Sequence, residues 1–572
     1  MKSGASIIAD SLIDSGIDHV FGIPGGATGP IYDSLYGKND KIKVILTRHE
    51  QSAAIMTDVY GRLNRRPALL MGQGPFIATS GGFGISEAYL SYSPMIVITD
   101  TCDIGLSQLG SYQNGTGEYG TIDIPNILRA MTKYTTLVST PNEAVLGLNL
   151  AIKHSISGAN GPAAMVMKSN VPLSRYRPDP LLHNYPIEGY IANEKPIVAP
   201  LVIRKICESL ISANFPVIIA GNGVHNSLAY EQLRQLAETL NCPVATTYKG
   251  RSSIEETHHL AVGPLGMFGI KSANISISRA DVILIIGARM RAHDTSFYNP
   301  DLIDPTKQTI FQIDIEDRNA GWTIPVESGL IGDAKIILNQ MNEYLTGNLS
   351  NFDQFLQRGI TISELKKEEK FFDDSESLTI DSSPVLPQRL VRLIQENIDP
   401  TTIITLDAGN NRLWMHHFFQ TQQIGTILGP GGHGGMGWAV PAAVAAKILR
   451  PQRPVMAVTG DGGFMMTSNA ISTAIQNNAP IVIVVFNDGA LGMVREHQRR
   501  DKTIIASEFV KTNYAQLCQA YGGWGVQVND SKDIPAAIHD AFNSGVASVV
   551  DVAIDDKEIF SQFQAKIQPK IR

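Results

Sequence analysis

Cysteine is scarce in this sequence, and its four copies, Cys102, Cys207, Cys242 and Cys518, are far apart in apolar surroundings. They form neither a disulfide framework nor a metal-ligand spacing, so the expected compartment is a reducing one. Long apolar runs are missing as well. No stretch approaches the roughly 18 residues that a membrane span needs. There is no basic excess: 47 Lys and Arg against 54 Asp and Glu leave a net charge of −7, which argues against a nucleic-acid partner. The first residues, Met1 to Ala5, run straight into a helical pattern and leave no room for a leader peptide. The expectation is a cytoplasmic, prokaryotic protein without a membrane anchor.

What is present fits a soluble globular chain, with 43% apolar and 18% charged residues. Its 572 residues suggest three or four domains, each able to build its own core. The most informative stretch is Gly460 to Gly492. Val455 to Val458 reads as a buried strand ending at Gly460-Asp461-Gly462-Gly463, and Ile481 to Phe486 as a second strand ending at Asn487-Asp488-Gly489. Ser468 to Asn478 between them fits a helix capped by Thr467 or Ser468. The result is a β-α-β unit, so Asp461 and Asn487 fall at the carboxyl ends of parallel strands, where open α/β sheets bind ligands. A carboxylate, an amide oxygen and the Gly489 carbonyl are hard ligands suited to Mg²⁺ carrying phosphate oxygens. Gly462 and Gly463 would let the backbone approach a diphosphate. A plain Gly-rich turn explains the four residues from Gly460 to Gly463 alone. Asp and Asn each closing an apolar strand point instead to the metal-diphosphate signature of enzymes that use thiamine diphosphate.

The rest of the chain alternates helix and strand, which predicts α/β architecture built on doubly wound parallel sheets. Residues 1–172 form the first unit, with a helix from Ala5 to Ser15 and strands at His19–Gly22, Val44–Leu46, Pro67–Met71, Met95–Thr99 and Ala163–Met167. Pro24 to Ala27 and Gly74-Pro75 are turns on its carboxyl edge. Arg48-His49-Glu50 opens an Ala-rich helix, where Glu50 alone would pass for a carboxylate favoured by the helix dipole. A polar, Pro-rich linker at about 173–195 leads to a second unit, 196–345, with strands at Pro216–Ala220, Pro243–Thr246, Val282–Ile286 and Thr309–Ile313. Gly221-Asn222-Gly223 follows the first of these as a nucleotide-binding turn would, but no full GxGxxG is present. A charged stretch at 346–385, helical or solvated around Lys366 to Lys370, reads best as a solvated face. The third unit, 386–560, carries the metal signature and a Gly-rich run from Gly429 to Gly437 that does not fit a dinucleotide fingerprint. The first and third units share an architecture, a hint of duplication.

Together these motifs resemble the thiamine-diphosphate enzymes of the acetohydroxyacid (acetolactate) synthase type over nearly the whole chain. The likeness rests on Val20 to Ala27, Pro30 to Asp33 and Arg48 to Gln51, on Leu265 to Gly269, Gly287-Ala288-Arg289 and Ile331 to Lys335, and on Gly432 to Gly437, Pro441 to Ala443, Asn487 to Gly489 and Leu491 to Val494. The resemblance implies pyrimidine-binding, central and diphosphate-binding domains, in that order. It also implies a homodimer or homotetramer in which each cofactor lies between the first domain of one chain and the third of another. Asp461, Asn487 and Gly489 would hold Mg²⁺, Met436 would wedge the cofactor into a bent form, and Glu50 would hydrogen-bond its aminopyrimidine. Asn410, Asn411, His433, Gly434, Gly460, Gly462, Gly463, Ala490, Leu491, Gly492 and Met493 would line the cofactor. Gly25, Gln113 and His497 would join Glu50 and Met436 at the reacting end. FAD or ADP would have room in the central domain.

The implied substrates are a 2-oxo acid such as pyruvate and a carbonyl acceptor. Four departures bear on substrate or flavin. Tyr119-Gly120, leading to Arg129-Ala130, replaces the synthases' Phe-Gln pair, and His497 replaces a tryptophan. Arg289-Met290-Arg291-Ala292-His293 replaces Arg-Phe-Asp-Asp-Arg, and Lys168-Ser169-Asn170 replaces Pro-Lys-Asp. They leave open a carboligase, a 2-oxo acid decarboxylase and a diketone hydrolase, with a catalytically silent scaffold as the non-enzyme reading.

Overall fold

The computed structural model describes residues 2–102, 113–179, 185–192, 194–348, 352–372 and 376–560. Three six-stranded sheets follow one another along the chain, and every strand pair in them is parallel. The first runs in the spatial order Lys43–Leu46, His19–Ile23, Leu69–Gly72, Met95–Thr101, Pro162–Lys168, Tyr134–Val138. The third repeats that order with Ile427–Leu428, Ile403–Leu406, Val455–Gly460, Val482–Asn487, Ser548–Ala553, Trp524–Val528. The central sheet differs: Ser328–Ile331, Thr309–Asp314, Val282–Ile286, Pro216–Ala220, Val244–Thr246, Ala261–Pro264. Counted from its own first strand this is the order 3-2-1-4-5-6, read from the far edge, of the dinucleotide-binding folds.

Central strands such as Pro216–Ala220 and Val282–Ile286 are continuous apolar runs because helices cover both faces of each sheet. Helix Glu50–Asn64 of the first domain packs on helix Ala439–Leu449 of the third, and buried alanines on both (Ala53, Ala54, Ala442, Ala443, Ala446) allow the close approach. One apolar core therefore runs unbroken from the first sheet into the third.

The central domain is tied on by a buried ion pair. Arg251 and Glu256 meet at 2.6 Å; Arg251 donates to the carbonyls of Met415 and Phe419, and Glu256 accepts the Thr421 N–H. With all three guanidinium nitrogens and both carboxylate oxygens hydrogen-bonded, the pair can stay inside without an unpaired charge.

Two expectations are corrected. The helix expected at Ser468–Asn478 is two short helices, Asp461–Thr467 and Ala470–Gln476, so helical structure begins at Asp461 itself, with Gly460 rather than Thr467 or Ser468 at its cap. The charged stretch after 345 contains a helix, Phe352–Glu368, that docks on the central domain. Arg358 on that helix donates to the carbonyls of Leu240, Leu210, Ile211 and Ala213, at the carboxyl ends of two central helices.

Candidate cofactor site

In the third sheet the strand order reverses between Ile403–Leu406 and Val455–Gly460, and the crevice beyond their carboxyl ends is where such sheets take ligands. Asp461 stands there, almost fully buried. Its Oδ1 accepts the Gly462 N–H at 2.8 Å and its Oδ2 the Ala490 N–H at 3.1 Å. Burial, and then the negative charge of Asp488, push its pKa up to about 7. The backbone N–H groups of Gly462, Ala490 and Gly489 do not offset that burial, and among the described residues no basic side chain pairs with the carboxylate.

The neighbouring strand Val482–Asn487 delivers Asn487. Its Nδ2 donates to Asp551 Oδ1 at 2.8 Å, which fixes the amide with Oδ1 on the side of the Gly489 N–H, 3.3 Å away. Gly489 adopts φ +67°, a left-handed conformation glycine takes at little cost. Its carbonyl accepts the Phe509 N–H at 2.7 Å and keeps a second lone pair. Asp488 itself is engaged by Arg495 at 2.6 Å. Among the described residues no three His, Cys, Asp or Glu converge on one point, so a cation here would draw on amide and carbonyl oxygens beside one carboxylate. That donor set suits a hard cation that brings phosphate oxygens of its own.

Met436 meets this cluster from above. A Cβ built on Gly462 would lie 3.0 Å from Met436 Cε and 3.2 Å from Leu491 Cδ2, so glycine is what lets the two side chains close over the turn. The loop behind Met436 is held by a residue the sequence reading passed over. Asp407, fully buried after strand Ile403–Leu406, accepts the N–H groups of Gly437 (2.9 Å), Ala439 (3.2 Å) and Ala408 (2.8 Å) and the Thr459 hydroxyl (3.2 Å). Thr467 completes the anchorage by donating to the Gly437 carbonyl at 2.9 Å. Gly463 backs onto the same carboxylate, a Cβ there falling 3.0 Å from Asp407 Cγ. Asn411 spans the two strand ends, its Nδ2 near the carbonyls of Asp407 and Val458, and its Oδ1 faces Gly460. Asn410 Oδ1 is buried without a partner, and its amide nitrogen lies near Gly492. An orphaned buried acceptor beside the Asp461 turn is a contact in waiting for a ligand donor. Met493, one residue on, is half-buried against the apolar core under the sheet.

Glu50, Gly25 and Gln113 lie on the carboxyl edge of the first sheet. Glu50 opens its helix after His49, whose Nδ1 accepts the Gln51 N–H at 3.2 Å; among the described residues the Glu50 carboxylate has no hydrogen-bond or ion-pair partner. Gly25 begins the turn after strand His19–Ile23, and Gln113 accepts from Gln73 Nε2 at 2.6 Å. Among the described residues no hydrogen bond or ion pair joins any of the three to the Asp461 cluster. Gln51, next to Glu50, reaches toward the third domain, its Nε2 3.6 Å from a Cβ built on Gly437. His497 is exposed, and its ring turns back to the Met493 carbonyl at 2.8 Å.

His433 and Gly434 face a different space, a cavity of about 700 Å³ between the three domains. Gly223, Ala288 and Arg289 at the central sheet's switch point line it, as do Asp314 and Asp333 at its strand ends. Gly221, Gly223 and Gly287 pack backbone to backbone there, a Cβ on Gly223 falling 2.5 Å from Gly287 Cα. The Gly-rich loop that walls the cavity is clamped from two sides. Glu87 accepts the N–H groups of Gly432 (2.8 Å) and His433 (2.7 Å) while paired with Arg62, which donates to the Gly429 carbonyl at 2.7 Å. Arg291 donates to the carbonyls of Gly431 and Gly432.

Comparison with known proteins adds an independent line. Three models of thiamine pyrophosphate enzymes match the chain: the N-terminal TPP binding domain over residues 2–121, the central domain over 203–341 and the C-terminal TPP binding domain over 407–552. The chain is 31% identical over 575 residues to a probable acetolactate synthase large subunit of Methanocaldococcus jannaschii, covering 97% of this chain and 92% of that protein. A similar protein of Methanococcus aeolicus is 31% identical over 584 residues, 98% and 93% covered. The acetolactate synthase isozyme 3 large subunit of Escherichia coli is 27% identical over 573 residues, 98% and 96% covered.

Proposed function

The chain belongs to the thiamine pyrophosphate enzymes, and from that premise we propose that it is an Mg²⁺-dependent carboligase of the acetolactate synthase kind. Its donor would be pyruvate or a related 2-oxo acid, and its acceptor a second carbonyl compound. The observation that carries the proposal is that Asp461 and the Asn487–Gly489 turn close adjacent parallel strands and are joined through the Ala490 N–H, with Met436 packed toward Gly462 and the orphaned Asn410 acceptor nearby.

Asp461 and Asn487 would ligate the cation with Gly489, and Gly462 would leave room for a diphosphate under Met436. Bound there, thiamine diphosphate supplies the electron sink that decarboxylation of a 2-oxo acid requires. Glu50, placed at a helix N-terminus without a partner of its own, would accept a hydrogen bond from the aminopyrimidine and move the proton that the ring relays. Met436, fixed through Asp407, would hold the cofactor's two rings in close approach, a proximity effect. Gly25, Gln113 and His497 would border the substrate.

That no described residue pairs with the Glu50 carboxylate within one chain supports a site completed across a homodimer, with a tetramer as the larger form. Leu46 and Phe76 on the first domain's edge, and Met465, Met466, Phe509 and Val510 around the Asp461 turn, are exposed apolar side chains that a second copy would cover. The cavity at the central switch point has the volume and strand order for FAD or an ADP moiety. The net charge of −7 agrees with an enzyme acting on small molecules, for which the proposed location is the cytoplasm; among the described residues no helix is long and apolar enough to cross a membrane.

Reconstitution tests the proposal. Protein stripped by chelation and dialysis should release carbon dioxide from pyruvate only when both Mg²⁺ and thiamine diphosphate are restored. Release that needs neither would refute it.

A further inference from the structure

Asp100 is the penultimate residue of strand Met95–Thr101 in the first sheet, beside the crevice where that sheet's order reverses. Its carboxylate is mostly buried and, among the described residues, meets no basic side chain. Oδ2 accepts the Ala27 N–H at 2.9 Å, and Oδ1 accepts the Gly74 N–H at 2.8 Å. Those two amides belong to different loops. Ala27 lies in the turn that carries Gly25 and Gly26, after strand His19–Ile23. Gly74 follows Gln73, after strand Leu69–Gly72. The fit is tight on both sides. A Cβ on Gly26 would fall 2.6 Å from Asp100 Oδ2, and one on Gly74 would fall 1.9 Å from the Asp100 carbonyl. Gln73 in turn packs against Gly25, 3.2 Å from a Cβ built there, and donates to Gln113 at 2.6 Å.

We propose that Asp100 is a positioning residue that sets the first domain's wall of the reaction site, by tying the Gly25–Ala27 turn to the Gln73–Gly74 turn and, through Gln73, to Gln113. The inference rests on the proposed reading of this edge as the one that faces the substrate. Asp100 touches neither substrate nor cofactor. It fixes the spacing of the residues that would, and a donor bound between two loops loses alignment when either drifts by an ångström. A carboxylate suits the task because both of its oxygens accept, so that each can take one backbone N–H.

The test is Asp100→Asn. The amide offers one acceptor oxygen, so its NH₂ must face one of the two backbone donors and that tie is broken. Hydrogen–deuterium exchange on the apo-protein reads this without any turnover. Amides of the segments 24–28 and 73–79 should exchange about tenfold faster or more, while the helix 50–64 and the third sheet stay as protected as in the wild type. In the loaded enzyme, KM for pyruvate should rise, with kcat/KM down by roughly 10²-fold. Thiamine diphosphate affinity should stay within about threefold, because the diphosphate turn is untouched. Unchanged exchange in both segments would overturn the inference whatever the reaction proves to be. Changed exchange with unaltered KM and kcat would overturn it too, leaving Asp100 a loop tie alone. Wild-type protein inactive on every 2-oxo acid would sink the carboligase reading, while the exchange result would still decide whether Asp100 ties the two turns. Should Asp100→Asn not fold, Gln73→Leu breaks the same chain of contacts at its exposed end and must move KM in the same direction; no movement there would be equally fatal.

Discussion

Asp407 Oδ1 accepts the Gly437 N–H at 2.9 Å, one residue beyond Met436, so a buried carboxylate at one strand end fixes the side chain that closes over the next. Four donors converge on Asp407, and burial raises its pKa. In Asp407→Asn an NH₂ group must oppose at least one backbone N–H. That unsatisfied contact costs about 2–3 kcal/mol in stability. Met436 also loses its fixed height above Gly462, so kcat should fall by at least about tenfold, while Mg²⁺-dependent cofactor binding weakens less than it does in Asp461→Ala. Urea midpoints and steady-state kinetics on the one variant read both effects.

Asp407 also marks where the sequence stopped being legible. Most strands legible in it, such as Pro216–Ala220 and Val282–Ile286, are central ones buried on both faces with continuous apolar runs, and Lys43–Leu46 is the one edge strand among them. Tyr134–Val138, Ala261–Pro264, Ser328–Ile331, Ile427–Leu428 and Trp524–Val528 escaped notice, and all five are sheet edges, where the apolar run is short or broken by polar and turn residues. Ser548–Ala553 is central, yet its run is broken by Asp551, whose carboxylate orients Asn487 and accepts the Tyr514 N–H. The ligand-bearing residues at Asp461 and Asn487 were visible because each closes a clean strand. Their supports, Asp407, Asp551 and Glu87, were not, because a lone acidic residue acquires its meaning only from the distant loop that folds onto it.

Glu50→Gln keeps the shape of the side chain and removes its charge. With that carboxylate as the proton-moving group, kcat should fall on the order of 10²-fold or more. Cofactor affinity should change little. Proton exchange at the thiazolium C2, followed by NMR, should slow in parallel; exchange at the wild-type rate would remove Glu50 from the role.

Asp461→Ala deletes the single carboxylate in the proposed cation set. Affinity for thiamine diphosphate in the presence of Mg²⁺ should drop by about 10²-fold or more, equivalent to ~3 kcal/mol. Isothermal titration calorimetry gives the value directly. A variant that binds as tightly as the wild type would move the metal elsewhere.

Glu87 joins the first domain to the Gly-rich loop of the third. Burial alone would raise its pKa, but the charge of Arg62, with help from Lys249 and two backbone N–H groups, holds it below the usual glutamate range. A depressed pKa contributes stability that is fully present above the unfolded value, about 4.3, and is lost as the pH falls toward the folded one. Glu87→Gln breaks a buried pair and should cost about 3 kcal/mol at pH 7. The gap between wild type and variant should then close as pH drops below about 4.3. Denaturant titrations across that range test this, and a constant gap would contradict it.

The most direct test of the whole account is product analysis with pyruvate, Mg²⁺ and thiamine diphosphate, first alone and then with a panel of aldehydes and 2-oxo acids as acceptors. The account predicts carbon dioxide released in step with a new carbon–carbon bond, one ligated product for each pyruvate decarboxylated. Carbon dioxide with free acetaldehyde and no ligated product, or cleavage of a diketone without any carbon dioxide, would contradict it.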